Sequence, residues 1–302
     1  MRIRPARKTD AADIATFTQD TWDRYEDGDY ISKIFPKWAA QSGPDQETFV
    51  AESDGTPIGL VRSVLLSDHE AWFQGLRVDP AHRNKGVGET LIHAAFDWAK
   101  SAGATVGRAM VFSWNVMGLG LTRAAGFEPG VEFRWAHPEP DSTGVETTAG
   151  TAPRRAWSFW QQSGEREAVG GLGLDSEVPW ALSELTVSDF EATAQTETVL
   201  TVERDRVVAM APRTRVSDRG PGEETTWAEY GVAAWADLAA AGDLMAAIAA
   251  DAASVGADKT RVLVPETARA VTDVAAHRVE LAEEPDFVVR VDLTRSNWDA
   301  AD

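Results

Sequence analysis

The sequence predicts an α+β protein with mixed sheets, arranged as two tandem copies of one fold. In residues 1–136, β-rich runs and amphipathic segments follow the order β-α-α-β-β-β-α-β-α-β. Residues 138–155, PEPDSTGVETTAGTAPRR, are rich in proline, glycine, serine and threonine, as expected of a linker. The predicted domains are therefore residues 1–137 and 156–302.

The first two helices follow a short strand at residues 2–6. Thr9 and Asp10 supply side-chain oxygens of the kind that begin a helix, and the helical pattern continues to about Trp22. The aromatic-rich segment 22–38 then predicts a turn and a second helix.

A hairpin, a further strand and a long helix form the middle of the first domain. Two β-rich runs flank Asp54 and Gly55, which predicts the hairpin. The run EAWFQGLRVD predicts the next strand, and the segment from Gly86 to about Ala102 has one apolar helical face. The remaining predicted elements are a strand at 106–112, a helix at 115–125 and a β pair around 127–136.

The second half of the chain repeats the order of elements in the first. Gly103 and Gly256, each followed by alanine, come directly after a long helix. After each pair comes a strand, then a helix, then a closing β segment at 133–135 or 288–291. Three matches in the same order predict a structural repeat.

The composition excludes several classes of protein. The formal charge is −19, with 48 acidic and 29 basic residues, so a nucleic acid is not expected as a partner. Lysine is rare (six residues against 23 arginines), which favours an acidic, halophilic protein of a salt-rich cytoplasm over an ordinary acidic one. The absence of cysteine excludes disulfides and thiol nucleophiles. Neither a signal peptide nor a membrane span is expected, and the protein is predicted to be cytoplasmic.

A local concentration of positive charge interrupts this acidic background. In LRVDPAHRNKGVGETL, residues 76–91, Arg83 and Lys85 precede Gly86 and Gly88 where a strand gives way to a helix. A helix N-terminus exposes unpaired N–H groups, and a glycine-containing loop lets them close around a phosphate. The stretch predicts a pyrophosphate site. The alternative is an ordinary strand-to-helix turn with solvated charges.

Other phosphate and hydrolase motifs do not fit. A P-loop needs Lys and Ser or Thr after its last glycine, and a dinucleotide fingerprint needs a third glycine where Leu91 stands. The chain has no Gly-x-Ser-x-Gly elbow and no pair of histidines at zinc spacing, so no metal is expected.

The motif that fits is Arg/Gln-x-x-Gly-x-Gly/Ala after a strand reading L-x-V-x-P, formed by Leu76, Val78, Pro80, Arg83, Gly86 and Gly88. It resembles the acetyl-CoA loop of the GCN5-related N-acetyltransferases (GNAT), and the order of elements in residues 1–136 matches that family. The resemblance implies the GNAT, or acyl-CoA N-acyltransferase, fold and acetyl-CoA as co-substrate. A looser resemblance, from GDYISKIFPKW and GLRV-P, is to the histidine N-acetyltransferase-like branch.

The family pattern implies which residues contact the cofactor. Amides of the splayed strand would bind pantetheine and the thioester carbonyl as an oxyanion hole, loop amides would bind the pyrophosphate, and an asparagine at the next helix would touch the cofactor. The residues at these positions are Leu76, Arg77, Val78, Arg83, Asn84, Lys85, Gly86, Val87, Gly88 and Asn115.

Two expected catalytic groups are missing from the pattern. Many family members have a tyrosine as general acid where this chain has Thr122, and members with a glutamate base often have it where this chain has Gln74. A threonine hydroxyl is a poor acid near neutral pH, and an amide cannot take a proton. Glu70 shares strand parity with Gln74, so it is a candidate base acting through water. An exposed carboxylate without a catalytic role is the alternative.

The acceptor site implied by the family lies around the first two helices. Tyr25, Tyr30 and Trp72 are the candidate substrate-binding residues, and nearby carboxylates would suit an amine. A small-molecule amine or amino acid is therefore expected rather than a protein lysine, with the protein a monomer or homodimer.

The second domain has no equivalent loop, because ADLAAAGDLM follows its strand. It is therefore expected to be a degenerate copy that does not bind coenzyme A, and His277 is expected to be a surface residue at a helix end. The leading hypothesis is an acetyl-CoA-dependent N-acetyltransferase. The alternatives are a catalytically impaired acyl-CoA sensor or scaffold, and a transferase for a bulkier acyl donor.

Overall fold

The computed structural model describes residues 1–19, 21, 29–143, 150–219, 225–295 and 298. Tyr25, a predicted substrate-binding residue, lies outside them. The chain folds into two compact units. Unit 1 comprises Met1–Pro129 and Val288–Asp302, and unit 2 comprises Gly130–Phe287.

Unit 1 has a mixed sheet in the order β1-β2-β3-β4-β5-β16, with helices on both faces. Its pairs are antiparallel from β1 to β4, and β4 and β5 are parallel. Its elements are β1 (Arg2–Pro5), α1 (Ala11–Thr18), α2 (Ile31–Trp38), β2 (Gln46–Ser53), β3 (Thr56–Leu65), β4 (Glu70–Val78), α3 (Val87–Ser101), β5 (Val106–Phe112), α4 (Val116–Ala124) and the strand β16 (Asp286–Asp292) from Val288 onward.

Unit 2 has a second mixed sheet, in the order β6-β14-β12-β11-β10-β7, and a separate two-stranded sheet of β8 and β9. Its elements are β6 (Glu128–His137) from Gly130 onward, β7 (Gly150–Thr151), α5 (Pro153–Trp160), α6 (Gly164–Ala168), β8 (Leu172–Leu174), β9 (Leu182–Glu184), α7 (Val187–Thr196), β10 (Thr198–Glu203), β11 (Val207–Arg219), β12 (Thr225–Tyr230), β13 (Ala234–Trp235), α8 (Leu238–Ser254), β14 (Lys259–Pro265), α9 (Ala268–Ala276) and β15 (Glu280–Leu281).

The two units share one topology. In unit 1, β2, β3 and β4 form an antiparallel meander, and α3 connects β4 to the parallel strand β5. In unit 2, β10, β11 and β12 form the same meander, and α8 connects β12 to the parallel strand β14. The edge strands β1 and β7 are also equivalent, since each pairs antiparallel with the first strand of its meander. The order of elements therefore supports two copies of one fold.

Each unit contains the closing strand of the other sequence copy. Residues 130–137 of β6 belong to unit 2, where β6 pairs antiparallel with β14. The last residues of the chain, Val288–Asp302, belong to unit 1, where β16 lies beside β5. The compact units thus differ at these two segments from the predicted domains 1–137 and 156–302, which stay a prediction about where the sequence copies begin and end.

The local predictions need three corrections. The first helix ends at Thr18 rather than near Trp22, and the predicted β pair around 127–136 is the single strand β6. Gly126 has φ +97° after α4, and the equivalent left-handed residue after α9 is Arg278, with φ +58°. His277, placed opposite Gly126 by the sequence pattern, is instead the C-cap of α9, and its Nε2 contacts the Leu238 carbonyl.

The two faces of the unit 1 sheet carry different residues. One face packs on α3 and α4 through an apolar cluster that includes Val61, Phe73, Ala109 and Phe127. The other face packs on α1 and α2, with Leu60 among Ile14, Ile31, Phe35 and Trp38. Side chains alternate along a strand, so Glu70, Trp72 and Gln74 share the second face, as their parity predicts. The register pairs Gln74 with Arg62 on this face.

No helix in the described segments combines the length and apolar composition that crossing a membrane requires. The same residues contain no group of three or more His, Cys, Asp or Glu side chains suited to a metal ion.

A buried carboxylate in unit 2 makes stability depend on pH. Burial raises the pKa of Asp286 from 3.8 to about 6, against a hydrogen bond from Trp135 Nε1 (3.0 Å) and the charge of Arg261. Between about pH 4 and pH 6 the folded chain therefore holds a proton that the unfolded chain releases, so Asp286 lowers the unfolding free energy as pH rises through this window. The destabilisation is fully present above about pH 6 and absent below about pH 4.

We expect Asp286→Asn to gain unfolding free energy relative to the unaltered chain between pH 4 and pH 7. The gain is at most about 3 kcal/mol, which corresponds to roughly two pKa units. Urea unfolding across this range measures it, with Asp205→Asn on an exposed turn as the control. Parallel pH profiles for Asp286→Asn and the unaltered chain would contradict the prediction.

Candidate functional site

The strand β4 separates from β5 part-way along its length. The parallel register runs from Glu70–Val106 to Trp72–Arg108 and then stops. At the far end of β4, the Asp79 N–H donates to the Ile58 carbonyl on the β3 side (2.9 Å). Because peptide groups alternate along a strand, the N–H and C=O of Val78 point away from β3, toward the side where β5 has left. This part of β4 is therefore an open edge.

A register shift in β4 sets the direction of this edge. The β3 pairing changes register between Gln74 and Arg77, so β4 has one extra residue there. Gly75 within the shift has φ +68°, and a Cβ on it would lie 2.6 Å from the Trp38 ring. Only glycine fits both the backbone conformation and the space, and a bulge of this kind re-aims the following residues.

The loop after β4 leads into a helix whose N-terminus has no side-chain cap. Asn84 and Gly86 have φ of +58° and +77°, and Gly86 is the N-cap of α3. No side chain accepts a hydrogen bond from the first turn of α3, and a Cβ on Gly86 would meet no atom within 4 Å. Among the described residues, the N-terminus of this 15-residue helix, with the positive end of its dipole, is therefore left without a side-chain cap.

Two cations lie in the loop before this helix, as the sequence predicts. Arg83 and Lys85 are exposed, and their hydrogen bonds are to backbone carbonyls rather than to carboxylates. Arg83 Nε donates to the Val78 carbonyl (3.2 Å), and Lys85 Nζ donates to the Ala81 carbonyl (2.9 Å). Both side chains are thus tied to backbone carbonyls of the segment that leads from β4 to α3.

The glycines of the motif have different structural reasons. Gly86 supplies the left-handed conformation at the N-cap, whereas a Cβ on Gly88 would lie 2.7 Å from Leu121 of α4. Gly88 therefore allows α3 and α4 to approach closely, which its sequence position alone does not indicate. Asn115 begins α4, and its Oδ1 accepts from the Gly118 N–H (2.9 Å). The predicted cofactor contact of Asn115 would therefore use its amide nitrogen.

In unit 2, the protein's own groups occupy the positions equivalent to the uncapped helix start and the open strand edge of unit 1. At α8, the equivalent of α3, the Asp237 side chain accepts from the Ala240 N–H (2.8 Å), and Arg204 contacts the same carboxylate (3.1 Å). Beyond the end of β12, the Ala233 N–H donates to the Leu263 carbonyl of β14 (3.0 Å). In the described part of unit 2, the helix start and the strand edge are therefore occupied by the protein itself, which supports the expectation of a copy that does not bind coenzyme A.

The comparisons with known proteins agree with this geometry. The model of the acetyltransferase (GNAT) family matches residues 12–127. These residues are the part of the chain that is similar to the GNAT acetyltransferase family. No curated protein matches the sequence.

Solved structures extend the fold over both units. A GCN5-related N-acetyltransferase from Sphaerobacter thermophilus is 16% identical, with a TM-score of 0.63, 97% of this chain and 95% of that chain covered. A proposed acetyltransferase from Thermoplasma acidophilum is 15% identical, with a TM-score of 0.59 and coverages of 97% and 100%. A third, from Pyrococcus horikoshii, is 13% identical with a TM-score of 0.55. The GNAT fold thus accounts for nearly the whole chain, as predicted.

Glu70, the candidate base, is buried in an ion pair. Its carboxylate pairs with the Arg108 guanidinium on β5 and accepts a hydrogen bond from the Ser67 hydroxyl (3.2 Å). It lies six residues before Leu76, about 20 Å along a strand. Strand parity predicted the correct face for Glu70. The alternative interpretation expected an exposed carboxylate, but the Glu70 carboxylate is buried and paired. Its catalytic role stays a prediction.

The other two catalytic candidates also differ from what a direct proton donor or acceptor needs. Thr122 is buried in α4, and its hydroxyl donates to the Leu119 carbonyl (3.0 Å). Gln74 is half-buried and precedes the register shift, opposite Arg62. Both stay predictions, and neither has the chemistry to carry the proton by itself.

Tyr30 lies at the start of α2, on the side of unit 1 where the acceptor site is predicted. About half of its side chain is exposed (49%), and its ring contacts Trp38 edge to face, with centroids 6.2 Å apart. Desolvation raises the pKa of the Tyr30 hydroxyl, the Arg77 charge opposes this rise and the Asp29 charge adds to it. The phenol therefore stays protonated at neutral pH. Trp72 is 1% exposed, so its predicted contact with the substrate stays a prediction.

Two charged residues on this face, Asp29 and Arg62, make contacts that the sequence did not indicate. Asp29 is one of the carboxylates expected to suit an amine. Asp29 forms a buried ion pair with Arg77, and Arg62 is buried without a carboxylate in ion-pair range among the described residues. Arg62 donates instead to neutral oxygens of Trp38, Gln41, Gln46 and Thr48, and burial lowers its pKa to about 10. No local sequence pattern indicates the Asp29–Arg77 contact, because the contact spans 48 residues of the chain.

Proposed function

We propose that this protein is an acetyl-CoA-dependent N-acetyltransferase that acts on a primary amine. The observation that carries the proposal is the succession, in one segment of unit 1, of an open strand edge and a helix start without a side-chain cap. The open part of β4 is followed directly by the loop with Arg83 and Lys85 and then by the start of α3. A diphosphate and a thioester at the two ends of one cofactor fit these two features.

The chain's own residues would divide the work as follows. Amides from Asn84 to Gly88, with Arg83 and Lys85, hold the pyrophosphate of coenzyme A, and Asn115 contributes its amide nitrogen. Leu76, Arg77 and Val78 provide the strand edge for pantetheine. The cofactor supplies an acyl thioester. The Val78 N–H, directed into the open side, then stabilises negative charge on the carbonyl oxygen while the amine attacks directly.

Orientation and electrostatic stabilisation would carry most of the rate enhancement. Glu70 and Thr122 are both engaged by other groups, so proton removal from the amine would pass through water. Tyr30 adds a protonated phenol on the acceptor face. This arrangement requires neither a metal nor a covalent enzyme intermediate.

The acceptor we propose is a small-molecule amine or amino acid. The chain carries a charge of −19, which attracts cationic amines, and the half-exposed Tyr30 provides aromatic surface against Arg77 of β4. The looser resemblance to the histidine N-acetyltransferase-like branch favours the same class. A panel of amines, amino acids and lysine peptides, assayed at high salt for release of free coenzyme A, tests this choice.

A sensor or scaffold that binds acyl-CoA without turnover is the second candidate. It is favoured by one observation, the engagement of Glu70 by Arg108 and of the Thr122 hydroxyl by the Leu119 carbonyl. Both candidates require the same cofactor site. Acceptor-dependent release of coenzyme A would exclude the sensor, and its absence across the panel would exclude the transferase.

Arg83→Ala tests the cofactor site itself. We expect the affinity for coenzyme A to fall about tenfold, because one charge-assisted contact with the diphosphate contributes roughly 1.5–3 kcal/mol or less at an exposed site. Isothermal calorimetry measures the change. Arg154→Ala is the control, because Arg154 is 82% exposed and paired with Glu191 in unit 2. Equal affinities for the two variants would contradict the assignment.

A further inference from the structure

The contact between Asp29 and Arg77 joins the acceptor side of unit 1 to the open edge of β4. The Arg77 guanidinium donates through Nε to Asp29 Oδ2 (2.5 Å) and through Nη2 to Asp29 Oδ1 (3.2 Å). The Asp29 side chain is fully buried and that of Arg77 is 9% exposed. A bidentate pair of this kind fixes the plane of the guanidinium as well as its position.

The same guanidinium reaches back to the strand. Arg77 Nη1 donates to the Leu76 carbonyl (2.9 Å), the peptide group that precedes its own Cα. A peptide unit is planar and trans, so holding the Leu76 C=O also fixes the direction of the Arg77 N–H on its opposite side. The side chain therefore sets the orientation of one peptide plane within the segment that would bind the thioester.

A second arginine engages the next carbonyl on the edge. Arg83 Nε donates to the Val78 carbonyl, which points to the same open side as the Val78 N–H. Carbonyl oxygens at this edge would repel the oxygen of a thioester, and the repulsion would grow as negative charge develops on it. Guanidinium groups donate hydrogen bonds to the Leu76 and Val78 carbonyls. The groups that remain available at the open edge are therefore hydrogen-bond donors rather than a mixture of donors and acceptors.

Asp29 itself is anchored independently of β4. Its Oδ1 also accepts from the Ile31 N–H (3.0 Å), at the start of α2. The Arg77 guanidinium lies over the Tyr30 ring, with Cζ 5.6 Å from the ring centroid. Asp29 thus holds the Arg77 side chain from the start of α2.

We propose that Asp29 and Arg77 are positioning residues for the thioester: Asp29 holds the Arg77 guanidinium, and the guanidinium covers the Leu76 carbonyl so that the open edge of β4 presents hydrogen-bond donors. This inference rests on the proposed function and adds residues that act through the strand rather than on the cofactor. In this arrangement Asp29 and Arg77 orient the thioester carbonyl, whereas the start of α3 binds the diphosphate.

The test is Asp29→Asn with the full chain, compared with Asp10→Asn. Asp10 is a matched control because it forms a buried bidentate pair with Arg4 (2.8 and 2.9 Å) and accepts from the Arg7 N–H at a helix start, away from β4. We expect Asp29→Asn to lower kcat at least tenfold while the dissociation constant of coenzyme A changes less than threefold. The control should keep both values within threefold of the unaltered protein.

An infrared readout does not depend on turnover. The carbonyl stretch of ¹³C-labelled acetyl-CoA should move to lower frequency on binding, and Asp29→Asn should reduce this displacement. Asp29→Glu, which keeps the carboxylate, should recover part of the displacement and part of kcat. If Asp29→Asn leaves Arg77 unpaired and the chain unfolds, Asp29→Leu combined with Arg77→Met removes both charges and should show the same loss of displacement.

The outcomes separate this inference from the proposed function. Unaltered protein that binds acetyl-CoA and shows the displacement but does not acetylate any amine overturns the transferase and leaves the positioning role supported. Asp29 variants with the same displacement and kcat as Asp10→Asn overturn the positioning role and leave the transferase intact. Protein that does not bind coenzyme A overturns both.

Discussion

Gly86→Val should weaken the binding of coenzyme A by about 10- to 100-fold. Gly86 is the N-cap of α3 with φ +77°, a conformation that costs a β-branched residue about 1–3 kcal/mol. A Cβ at this position meets no atom within 4 Å beyond the neighbouring residues of the chain, so the valine side chain would project into open space at the start of α3. Either response, strain in the loop or withdrawal of the amides, removes donors from the diphosphate. Calorimetry with coenzyme A measures the affinity, and the melting temperature measures the strain.

Gly55→Val provides the matched control for this change. Gly55 in the β2–β3 turn has φ +84°, and a Cβ at this position would likewise meet no atom within 4 Å, so the backbone cost is the same. We expect both variants to lose similar thermal stability and only Gly86→Val to lose affinity. Equal affinities would mean that α3 begins at an ordinary strand-to-helix turn, and the cofactor assignment would fail.

The loop between β4 and α3 is the part of the molecule whose local backbone geometry the sequence predicted best. Its residues lie within one continuous segment, from Leu76 to Gly88, so a short motif contains nearly all of the geometry. The physical reason is local: left-handed residues and an uncapped helix start are set by neighbours in the chain. Gly88 shows the limit, because its closest contact is Leu121 on another helix.

Contacts between distant segments were not predictable in the same way. Strand parity placed Glu70 on the correct face, but its partner Arg108 is 38 residues away and the sequence does not specify that pairing. The Asp29–Arg77 pair depends on the register shift in β4, which reverses the parity of the residues after Gly75. A one-residue shift of this kind moves side chains to the opposite face, and no propensity argument fixes where it occurs.

The closing strands illustrate a related limit. The segments 133–135 and 288–291 were correctly predicted as equivalent strands of two copies, yet each compact unit contains the closing strand of the other copy. Two similar apolar strands satisfy the hydrogen bonds of either sheet edge, so local sequence cannot decide between β5 and β14 as the neighbour. Which strand completes which sheet is a property of the whole chain.

The buried charges of unit 2 give the largest expected effect on stability. Glu229 is fully buried between two arginines, with Oε2 3.0 Å from Arg215 Nε and Oε1 2.8 Å from Arg261 Nε. The Arg261 guanidinium lies between the rings of Trp135 and Trp180, at 4.4 and 4.0 Å from their centroids. The Arg261 side chain is 4% exposed, and that of Arg215 is 14% exposed.

We expect Glu229→Gln to lower the unfolding free energy by about 3–5 kcal/mol, because it leaves two buried guanidinium groups without the carboxylate between them. Denaturant unfolding at fixed pH and salt measures the loss. Glu191→Gln, which breaks an exposed pair with Arg154, is the control and should change stability by less than about 1 kcal/mol. A loss for Glu229→Gln no larger than for the control would contradict the prediction.

A triple variant separates the effect of uncompensated buried charge from the effect of lost side-chain packing. Replacing Glu229, Arg215 and Arg261 together by leucine or methionine removes the carboxylate and both cations at once, so no buried charge is left uncompensated within the triad. Buried ion pairs often contribute little net stability, because desolvation of the charges offsets their attraction. The triple variant should therefore recover most of the roughly 3–5 kcal/mol lost by Glu229→Gln. If it is instead the least stable of the variants, the triad stabilises unit 2 through its hydrogen bonds and its stacking on the tryptophan rings.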